Sequence, residues 1–228
     1  MTVGQSAPMI EAVAMPDATA IVFVVDDDVS VRESLAPLIQ KAGWEPEVFE
    51  SADQFLSHPR PSVPCCLVLD VALPGLSGLD LQARLVERTE VPIIFITGHG
   101  DVPMTVQAMK AGAVEFLTKP FTKDVLFNAI RGAIERSRAA LRHESEMQVL
   151  RECYGSLSRR EREVMALVVS GMPNKLIACD LRISEITVKT HRGQAMRKMR
   201  ANSLPDLVTM ATRLGLVASA NASQAAHL

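Results

Sequence analysis

Residues 21–28 read IVFVVDDD, a continuous apolar run that ends in three adjacent carboxylates. An uninterrupted run of this length is typical of a strand buried on both faces of a parallel sheet. The pattern returns as CCLVLD at 65–70 and PIIFIT at 92–97, each ending in a polar residue, and an interrupted run, VEFLTK at 114–119, ends in a lysine. These four stretches predict parallel strands whose polar residues gather at one edge of a sheet.

The first half of the chain is predicted to alternate five strands with five helices. Strands are expected at 21–25, 47–49, 65–69, 92–96 and 114–117. Helices are expected at 30–42, 51–57, 78–87, 103–111 and from 122 to about 150. Ser30 and Ser51 are candidate N-caps, Gly43 and Gly112 are candidate helix ends, and Pro37 is expected to kink the first helix. Five such units predict an α/β fold with a doubly wound, five-stranded parallel sheet.

The second half carries no strand pattern and is predicted to be all-α. Four helices are expected, at 158–170, 173–180, 184–200 and 203–214. Ser158 followed by Glu161 has the spacing of a capping box, and Pro173 suits the first position of a helix. The expected layout is a flexible leader at 1–19, an α/β domain at 20–135, a helical linker at 136–155, a four-helix domain at 156–216 and a flexible tail at 217–228.

The two halves carry opposite charge. Residues 1–150 contain 12 Lys and Arg against 20 Asp and Glu, whereas residues 151–228 contain 12 against 6. The basic half is therefore a candidate for binding nucleic acid. No apolar run approaches the roughly 20 residues that span a bilayer, and no signal-peptide pattern is present, so we expect a cytoplasmic protein without a membrane partner. The cysteines form no CxxC pair and are expected to be reduced thiols.

Polar residues at the predicted strand ends form a candidate phosphoryl-transfer site. Asp26 and Asp27 follow the first strand, Asp70 the third, Thr97 the fourth and Lys119 the fifth. Carboxylates held close together repel one another, and a hard divalent ion such as Mg²⁺ would relieve this with oxygen ligands. One carboxylate could then attack phosphorus, while the lysine and the threonine bind phosphoryl oxygens. No Walker or GxGxxG motif is present, which argues against a nucleotide-binding site.

These motifs resemble the receiver domain of two-component response regulators over about residues 20–140. The match is carried by the Asp26-Asp27 pair, Asp70 followed by VALPGLSG, ITGHGD at 96–101 and FLTKPF at 116–121. The resemblance implies that Asp70 accepts the phosphoryl group. It also implies that Asp27, Asp70 and the backbone carbonyl of Ala72 bind Mg²⁺ directly, while Asp26 helps through water.

The same resemblance assigns roles farther from the phosphorylated acid. Thr97 and Phe116 would form the switch pair, and the Lys119–Pro120 peptide would be cis. Pro74 and Gly75 would shape the loop after Asp70. The surface expected to dimerise would include Val106, Lys110 and Ala113.

Residues 173–200 are predicted to form two helices joined by a tight turn. The apolar contacts expected to hold this pair together are Leu176, Ile177, Leu181, Ile183, Ile186 and Val188. The second helix presents five candidate DNA-binding residues, which are Thr187, Lys189, Thr190, His191 and Arg192. They stand near its N-terminal half, where a recognition helix contacts base edges and phosphates. Lys189 is expected at a base edge and Arg192 at a phosphate.

This half resembles the LuxR/NarL-type four-helix DNA-binding domain over about residues 157–214. The match is carried by LSRREREVMALVVSG, NKLIA, LRIS and TVKTHRGQAMRKM. Together with VFVVDDD and TGHGDVPMTVQAMKAGA in the first half, it makes the chain most similar to the FixJ branch of that family. Arg182 departs from the pattern, because many relatives have glycine there, and an arginine is modestly strained if the position needs a positive φ.

The expected function is phosphorylation-dependent regulation of transcription. A sensor histidine kinase would phosphorylate Asp70, and phosphorylation would promote a homodimer that binds promoter DNA. RNA polymerase is a possible further partner. Mg²⁺ is the expected cofactor, and the chain is not expected to be an enzyme.

Two other interpretations stay open at this point. The chain could be a phosphorylation-independent DNA-binding regulator whose receiver serves only for protein contacts, although the complete acidic pocket argues against this. It could also be a Mg²⁺-dependent phosphatase acting on small phosphoesters. That activity needs a general acid near the nucleophile, and Val71 and Ala72, which follow Asp70, carry no carboxylate.

Overall fold

The computed structural model describes residues 19–85, 88–98 and 102–216. Its strands are β1 Ile21–Val25, β2 Glu45–Phe49, β3 Cys65–Asp70, β4 Ile93–Thr97 and β5 Glu115–Thr118. They form one parallel sheet in the order β2-β1-β3-β4-β5. The predicted doubly wound fold is therefore confirmed. The predicted tail, and all but the last residue of the predicted leader, lie outside the described residues.

Helices alternate with these strands and then make up the rest of the described chain. They are α1 Val29–Lys41, α2 Ala52–Leu56, α3 Gly78–Arg84, α4 Val102–Lys110, α5 Lys123–Gly155, α6 Arg159–Val169, α7 Asn174–Leu181, α8 Glu185–Lys198 and α9 Leu204–Arg213. Most bounds lie within a few residues of the prediction. The predicted end of the third helix, at 86–87, lies outside the described residues. None of the helices in the described part of the chain is both long and apolar enough to cross a bilayer.

Helix α1 corrects one predicted cap. Its N-cap is Asp28 and not Ser30, because the Asp28 carboxylate accepts a hydrogen bond from the Ser30 backbone N–H at 2.8 Å. A carboxylate at this position also interacts well with the positive end of the helix dipole. The helix continues through Pro37 to Lys41. Gly43 follows with φ of 93°, which confirms its predicted place at the helix end.

Alternate residues of each strand supply the two faces of the sheet. Cys65 belongs to an apolar cluster with Phe55 of α2 and Leu81 of α3, whereas its neighbour Cys66 belongs to a second cluster with Ile39 and Ile130 of α1 and α5. Both cysteines are fully buried free thiols. The sheet is thus covered on both sides, and its carboxyl edge is where polar groups can meet.

The chain divides into two compact units between Leu141 and Arg142. This division falls inside α5 and inside the segment 136–155 that the sequence predicts as a linker. Near the start of α5, Leu126 packs in a cluster of the first unit. Near its end, Met147 and Leu150 pack in the core of the second unit.

The second unit packs α6 to α9 around one apolar core. The predicted capping box at the start of α6 is confirmed, with Ser158 and Glu161 hydrogen-bonded to each other's backbone N–H groups. Pro173 is the N-cap of α7 and not its first helical residue. Of the apolar contacts predicted for α7 and α8, two are wrong, because Leu176 is 56% exposed and Ile186 is 77% exposed.

Candidate functional site

The carboxyl edge of the first unit's sheet brings three aspartates together. Asp26 and Asp27 directly follow β1, and Asp70 is the last residue of β3. One carboxylate oxygen from each lies within 4.8 Å of the other two. Asp26 is fully buried and Asp70 is 8% exposed, whereas Asp27 is exposed to solvent. The sequence therefore placed these three carboxylates together correctly.

Lys119 reaches this cluster from the end of β5. Its Nζ lies 2.8 Å from Asp26 Oδ2 and 3.9 Å from Asp70 Oδ2. The peptide bond from Lys119 to Pro120 is cis, as the resemblance implies. The Lys119 backbone N–H also donates to the Thr97 carbonyl at 2.7 Å, which ties the ends of β4 and β5 together. One ammonium group thus faces two carboxylates and binds Asp26 more closely than Asp70.

Asp70 is incompletely neutralised in this arrangement. Its Oδ1 is buried and has no hydrogen-bond partner among the described residues. Burial raises the pKa of the Asp70 carboxyl above its usual value, and the charge of Asp26 adds to this, while Lys119 acts in the opposite direction. A buried oxygen without a partner beside two further carboxylates is a set of hard oxygen donors that suits Mg²⁺.

Thr97 lies on β4, which pairs with the strand of Asp70, and Phe116 lies on β5, the next strand of the sheet. Thr97 is the last residue of β4, and it is 2% exposed. Phe116 pairs in register with Phe95, and the centroids of their rings are 6.0 Å apart. Phe116 is half-buried against the apolar cluster below. It therefore has a packed side and a solvent side, as the switch role implied by the resemblance would need.

Two residues that hold the site were missed by sequence reasoning. A Cβ built on Gly78 would overlap the carbonyl oxygen of Asp70, so only glycine lets the start of α3 approach the end of β3. Arg32 of α1 donates from Nη1 to the Asp26 carbonyl at 2.6 Å, which fixes the turn after β1. Nothing local in the sequence marks either contact. Gly75, with φ of 81°, differs, because it stands in the loop after Asp70 that it was expected to shape.

Helix α4 presents an apolar stripe to solvent. Val102, Val106 and Met109 are 76%, 44% and 42% exposed, and their spacing places them on one side of the helix. Lys110 is also exposed. Ala113, which the resemblance placed on the same surface, is only 5% exposed and packs in the core, so it contributes no side chain there. Its burial follows from its place just before β5, beneath α4.

The recognition-helix candidate α8 begins at a well-formed turn after α7. Ser184 is its N-cap and accepts a hydrogen bond from the Thr187 backbone N–H at 3.0 Å. Arg182 has φ of 53° and ψ of 47°, so it adopts the left-handed conformation that the missing glycine would favour. Ile183 then donates back to the Ala178 carbonyl at 3.0 Å, which closes the end of α7.

The five candidate DNA-binding residues of α8 differ in exposure. Lys189 and Thr190 are exposed, while Thr187, His191 and Arg192 are half-buried. The Thr187 hydroxyl is 2.8 Å from the Ser184 hydroxyl, and Arg192 Nη1 is 3.4 Å from Asn174 Oδ1 on α7. His191 Nδ1 is buried with no hydrogen-bond partner among the described residues.

A buried carboxylate of the second unit ties α6 to α8, and sequence reasoning missed this tertiary contact. Glu161 is 4% exposed, and its Oε2 lies 2.7 Å from Lys198 Nζ and 2.7 Å from the Ser158 backbone nitrogen. These hydrogen bonds hold the pKa of Glu161 below its usual value, with the Lys198 contact as the largest cause. Glu161 was predicted only as half of a capping box, because its partner lies 37 residues away.

Comparison with known proteins gives the same organisation. Residues 22–131 match the response regulator receiver domain, and residues 155–211 match the bacterial regulatory proteins of the luxR family. Nodulation protein W of Bradyrhizobium diazoefficiens is 51% identical over 201 residues, which cover 88% of each chain. The chain therefore belongs to the response regulators that join a receiver domain to a LuxR-type DNA-binding domain, an architecture of phosphorylation-dependent transcription regulators.

The similarity extends to the FixJ branch. The transcriptional regulatory protein FixJ of Rhizobium meliloti is 45% identical over 191 residues, which cover 83% of this chain and 94% of that protein. Among solved structures, that of the response regulator StyR is 46% identical, with a TM-score of 0.75 and coverage of 86% of this chain and 100% of that one. The predicted relationship to FixJ is confirmed.

Proposed function

We propose that Asp70 accepts a phosphoryl group from a sensor histidine kinase and that its phosphorylation controls promoter binding by α8. The observation that carries the proposal is the joint placement of Asp26, Asp27, Asp70 and Lys119 at one sheet edge. Such a group of three acids and one amine is costly to assemble as a purely structural feature. It suits the transfer of an anionic group to a carboxylate.

We assign Mg²⁺ binding to Asp27, Asp70 and the Ala72 carbonyl, with Asp26 acting through water. The buried Asp70 Oδ1, which has no hydrogen-bond partner among the described residues, and the all-oxygen set of donors support this fit. When bound, Mg²⁺ supplies positive charge that neutralises the carboxylates and the incoming phosphoryl oxygens. The close pairing of Asp26 with Lys119 leaves Asp27 and Asp70 as the less neutralised acids.

The remaining chemistry belongs to the side chains. A carboxylate oxygen of Asp70 forms a bond to phosphorus while the bond from phosphorus to the donor breaks, and the donor keeps that electron pair. Lys119 neutralises one phosphoryl oxygen, and the Thr97 hydroxyl donates to another. The product is an aspartyl phosphate, which serves as a signal and not as an intermediate in turnover.

The signal is proposed to leave through the surface of α4 and β5. Movement of Thr97 toward the phosphoryl group lets the half-buried Phe116 turn inward. The exposed stripe of Val102, Val106 and Met109, with Lys110 beside it, then forms a symmetric contact with a second copy. Covering an apolar stripe of this kind with a partner surface lowers the free energy of the complex.

The homodimer is proposed to place two copies of α8 in successive major grooves about 34–36 Å apart, over an inverted repeat. Lys189, exposed near the start of the helix, reaches a base edge, and Arg192 reaches a phosphate. Thr187, Thr190 and His191 complete this surface. The protein would act in the cytoplasm, and the DNA-bound dimer would contact RNA polymerase.

The test measures DNA binding by the full chain with Mg²⁺, with and without acetyl phosphate. Target DNA is first selected from a random pool by the phosphorylated protein. Phosphorylation should raise affinity about 5–150-fold, the usual range of coupling between two sites. Asp70→Asn should show no gain, while Asp53→Asn, which changes an exposed acid of α2, should respond like the parent.

Two outcomes would contradict the proposal. Equal affinity with and without the phosphodonor would favour a receiver that serves only for protein contacts. Steady hydrolysis of p-nitrophenyl phosphate, abolished by Asp70→Asn, would favour a phosphatase instead.

A further inference from the structure

Helix α8 carries a large apolar side chain that the fold of the second unit does not use. Ile186 is 77% exposed and stands two residues after the N-cap Ser184, in the first turn of the helix. An isoleucine this exposed gains nothing from folding, although it could lose contact with water in a complex. Its position at the start of the recognition-helix candidate points to DNA as the surface that covers it.

Ile186 shares one side of α8 with three other exposed residues. Lys189, Thr190 and Gly193 follow it by three, four and seven positions, which places all four on the same face. Thr190 Oγ1 donates to the Ile186 carbonyl at 3.1 Å, so that hydroxyl proton is already used within the helix. A Cβ built on Gly193 would meet nothing within 4 Å, so this face is open.

We propose that Ile186 contacts the C5-methyl group of a thymine in the major groove and thereby fixes one base of the target sequence. Thymine is the base whose major-groove edge carries an apolar group. Lys189, one turn farther along the same face, carries a cation suited to the O6 and N7 acceptors of a guanine. The inference rests on the proposed DNA-binding role of α8 and adds a base-specific contact to it.

The experiment removes the methyl group from the DNA and the side chain from the protein. The phosphorylated full chain first selects its preferred half-site, and each thymine in it is then replaced in turn by uracil, which keeps the same hydrogen-bonding edge. Binding of the parent should weaken about fourfold at one thymine, the effect of one lost methyl contact. Ile186→Ala should bind more weakly to the thymine site and should not discriminate uracil from thymine there.

The control changes another exposed apolar residue of the second unit. Val149 on α5 is 44% exposed, and Val149→Ala should keep the parent's response to uracil. Circular dichroism should show both variants folded, because neither side chain is part of the core.

The inference is overturned if the parent binds every uracil-substituted site as it binds the thymine site. It is equally overturned if Ile186→Ala loses the same factor as the parent at the same thymine. In both cases phosphorylation-dependent DNA binding would persist, and the proposed function would stand. A chain that prefers no sequence over random DNA overturns both proposals.

Discussion

Asp70 and Glu161 are both buried acids, 8% and 4% exposed, yet their pKa values are shifted in opposite directions: burial raises that of Asp70, whereas the hydrogen bond from Lys198 lowers that of Glu161. Glu161 of the second unit accepts hydrogen bonds from Lys198 and from the Ser158 backbone. Within the described part of the chain, Oδ1 of Asp70 in the first unit has no hydrogen-bond partner, a second acid lies beside it, and the nearby ammonium group lies closer to Asp26. Burial alone therefore does not mark a functional acid. What marks it is a charge that its own protein leaves incompletely neutralised.

The difference follows from where each acid stands. Glu161 lies in the first turn of α6, where a capping box and the helix dipole favour a carboxylate. Asp70 ends a buried strand at an edge where β1 delivers two further acids. Glu161 therefore stabilises the second unit as it stands, whereas Asp70 gains from a cation and a phosphoryl group.

Removal of the Asp27 carboxylate should have the largest effect on Mg²⁺ binding and on phosphorylation of Asp70. Asp27 is exposed, so Asp27→Ala should fold normally while losing Mg²⁺ binding in calorimetry. The rate of phosphorylation by acetyl phosphate should fall by about 100-fold or more, the usual effect of removing a group that stabilises transferring charge.

Asp28→Asn is the matched control for Asp27. Asp28 belongs to the same acidic run, but its carboxylate caps α1 through Ser30, and asparagine caps helices equally well. This variant should keep Mg²⁺ binding. Undiminished Mg²⁺ binding by Asp27→Ala would contradict the assignment of Asp27 as a Mg²⁺ ligand.

A methyl group at position 78 should have a smaller effect, on stability, because it would press on the backbone of Asp70. Gly78→Ala would overlap the Asp70 carbonyl and should lower the free energy of unfolding of the first unit by about 1–3 kcal/mol. Denaturant unfolding followed by Trp44 fluorescence measures this, because Trp44 is the only tryptophan and packs in a cluster of that unit.

Gly132→Ala should change the stability of the same unit in the opposite direction. Gly132 lies inside α5 with open space around it, so alanine should raise the free energy of unfolding by about 0.5–1 kcal/mol. If the two variants shift stability in the same direction, the close approach at Asp70 is not what requires glycine at position 78.

A modest destabilisation is expected when Glu161 is changed. Glu161→Gln should lower the free energy of unfolding of the second unit by about 1–2 kcal/mol at neutral pH, because charge-assisted hydrogen bonds to Lys198 and Ser158 weaken. The pKa of Glu161 is lower in the folded chain than the usual value of about 4.3, so this stability is present above that pH and is lost as pH falls through the folded pKa.

Parent and Glu161→Gln should therefore become equally stable in acid, as measured by unfolding followed with circular dichroism. Glu163→Gln is the comparison variant, since Glu163 pairs with Arg159 and Arg160 at the surface and should matter much less. A stability difference for Glu161→Gln that persists unchanged in acid would show that its charge is not the cause.

The candidate site was predictable from sequence where strand ends specify it. Apolar runs ending in Asp26, Asp70, Thr97 and Lys119 predict their strands, and parallel pairing brings those ends to one edge. Contacts made by backbone approach or over long sequence separation gave no local signal. The overlap at Gly78 and the pairing of Glu161 with Lys198 are of this kind.

Helix faces were predictable only in part. Ile186 and Val188 were both expected to pack, yet residues two apart on a helix point about 200° away from each other. Val188 is fully buried, so Ile186 must face outward. The prediction of Ser30 as the N-cap of α1 was wrong because several polar residues near the helix start could cap it, and Asp28 does so.

The most direct test of the central claim is the mass of the intact chain after incubation with Mg²⁺ and acetyl phosphate. We predict one added phosphoryl group on the parent and on Glu161→Gln, and none on Asp70→Asn. The two buried acids would then differ in chemistry as they differ in environment. Equal labelling of Asp70→Asn and the parent would contradict the account, because the phosphoryl group would then lie on another residue.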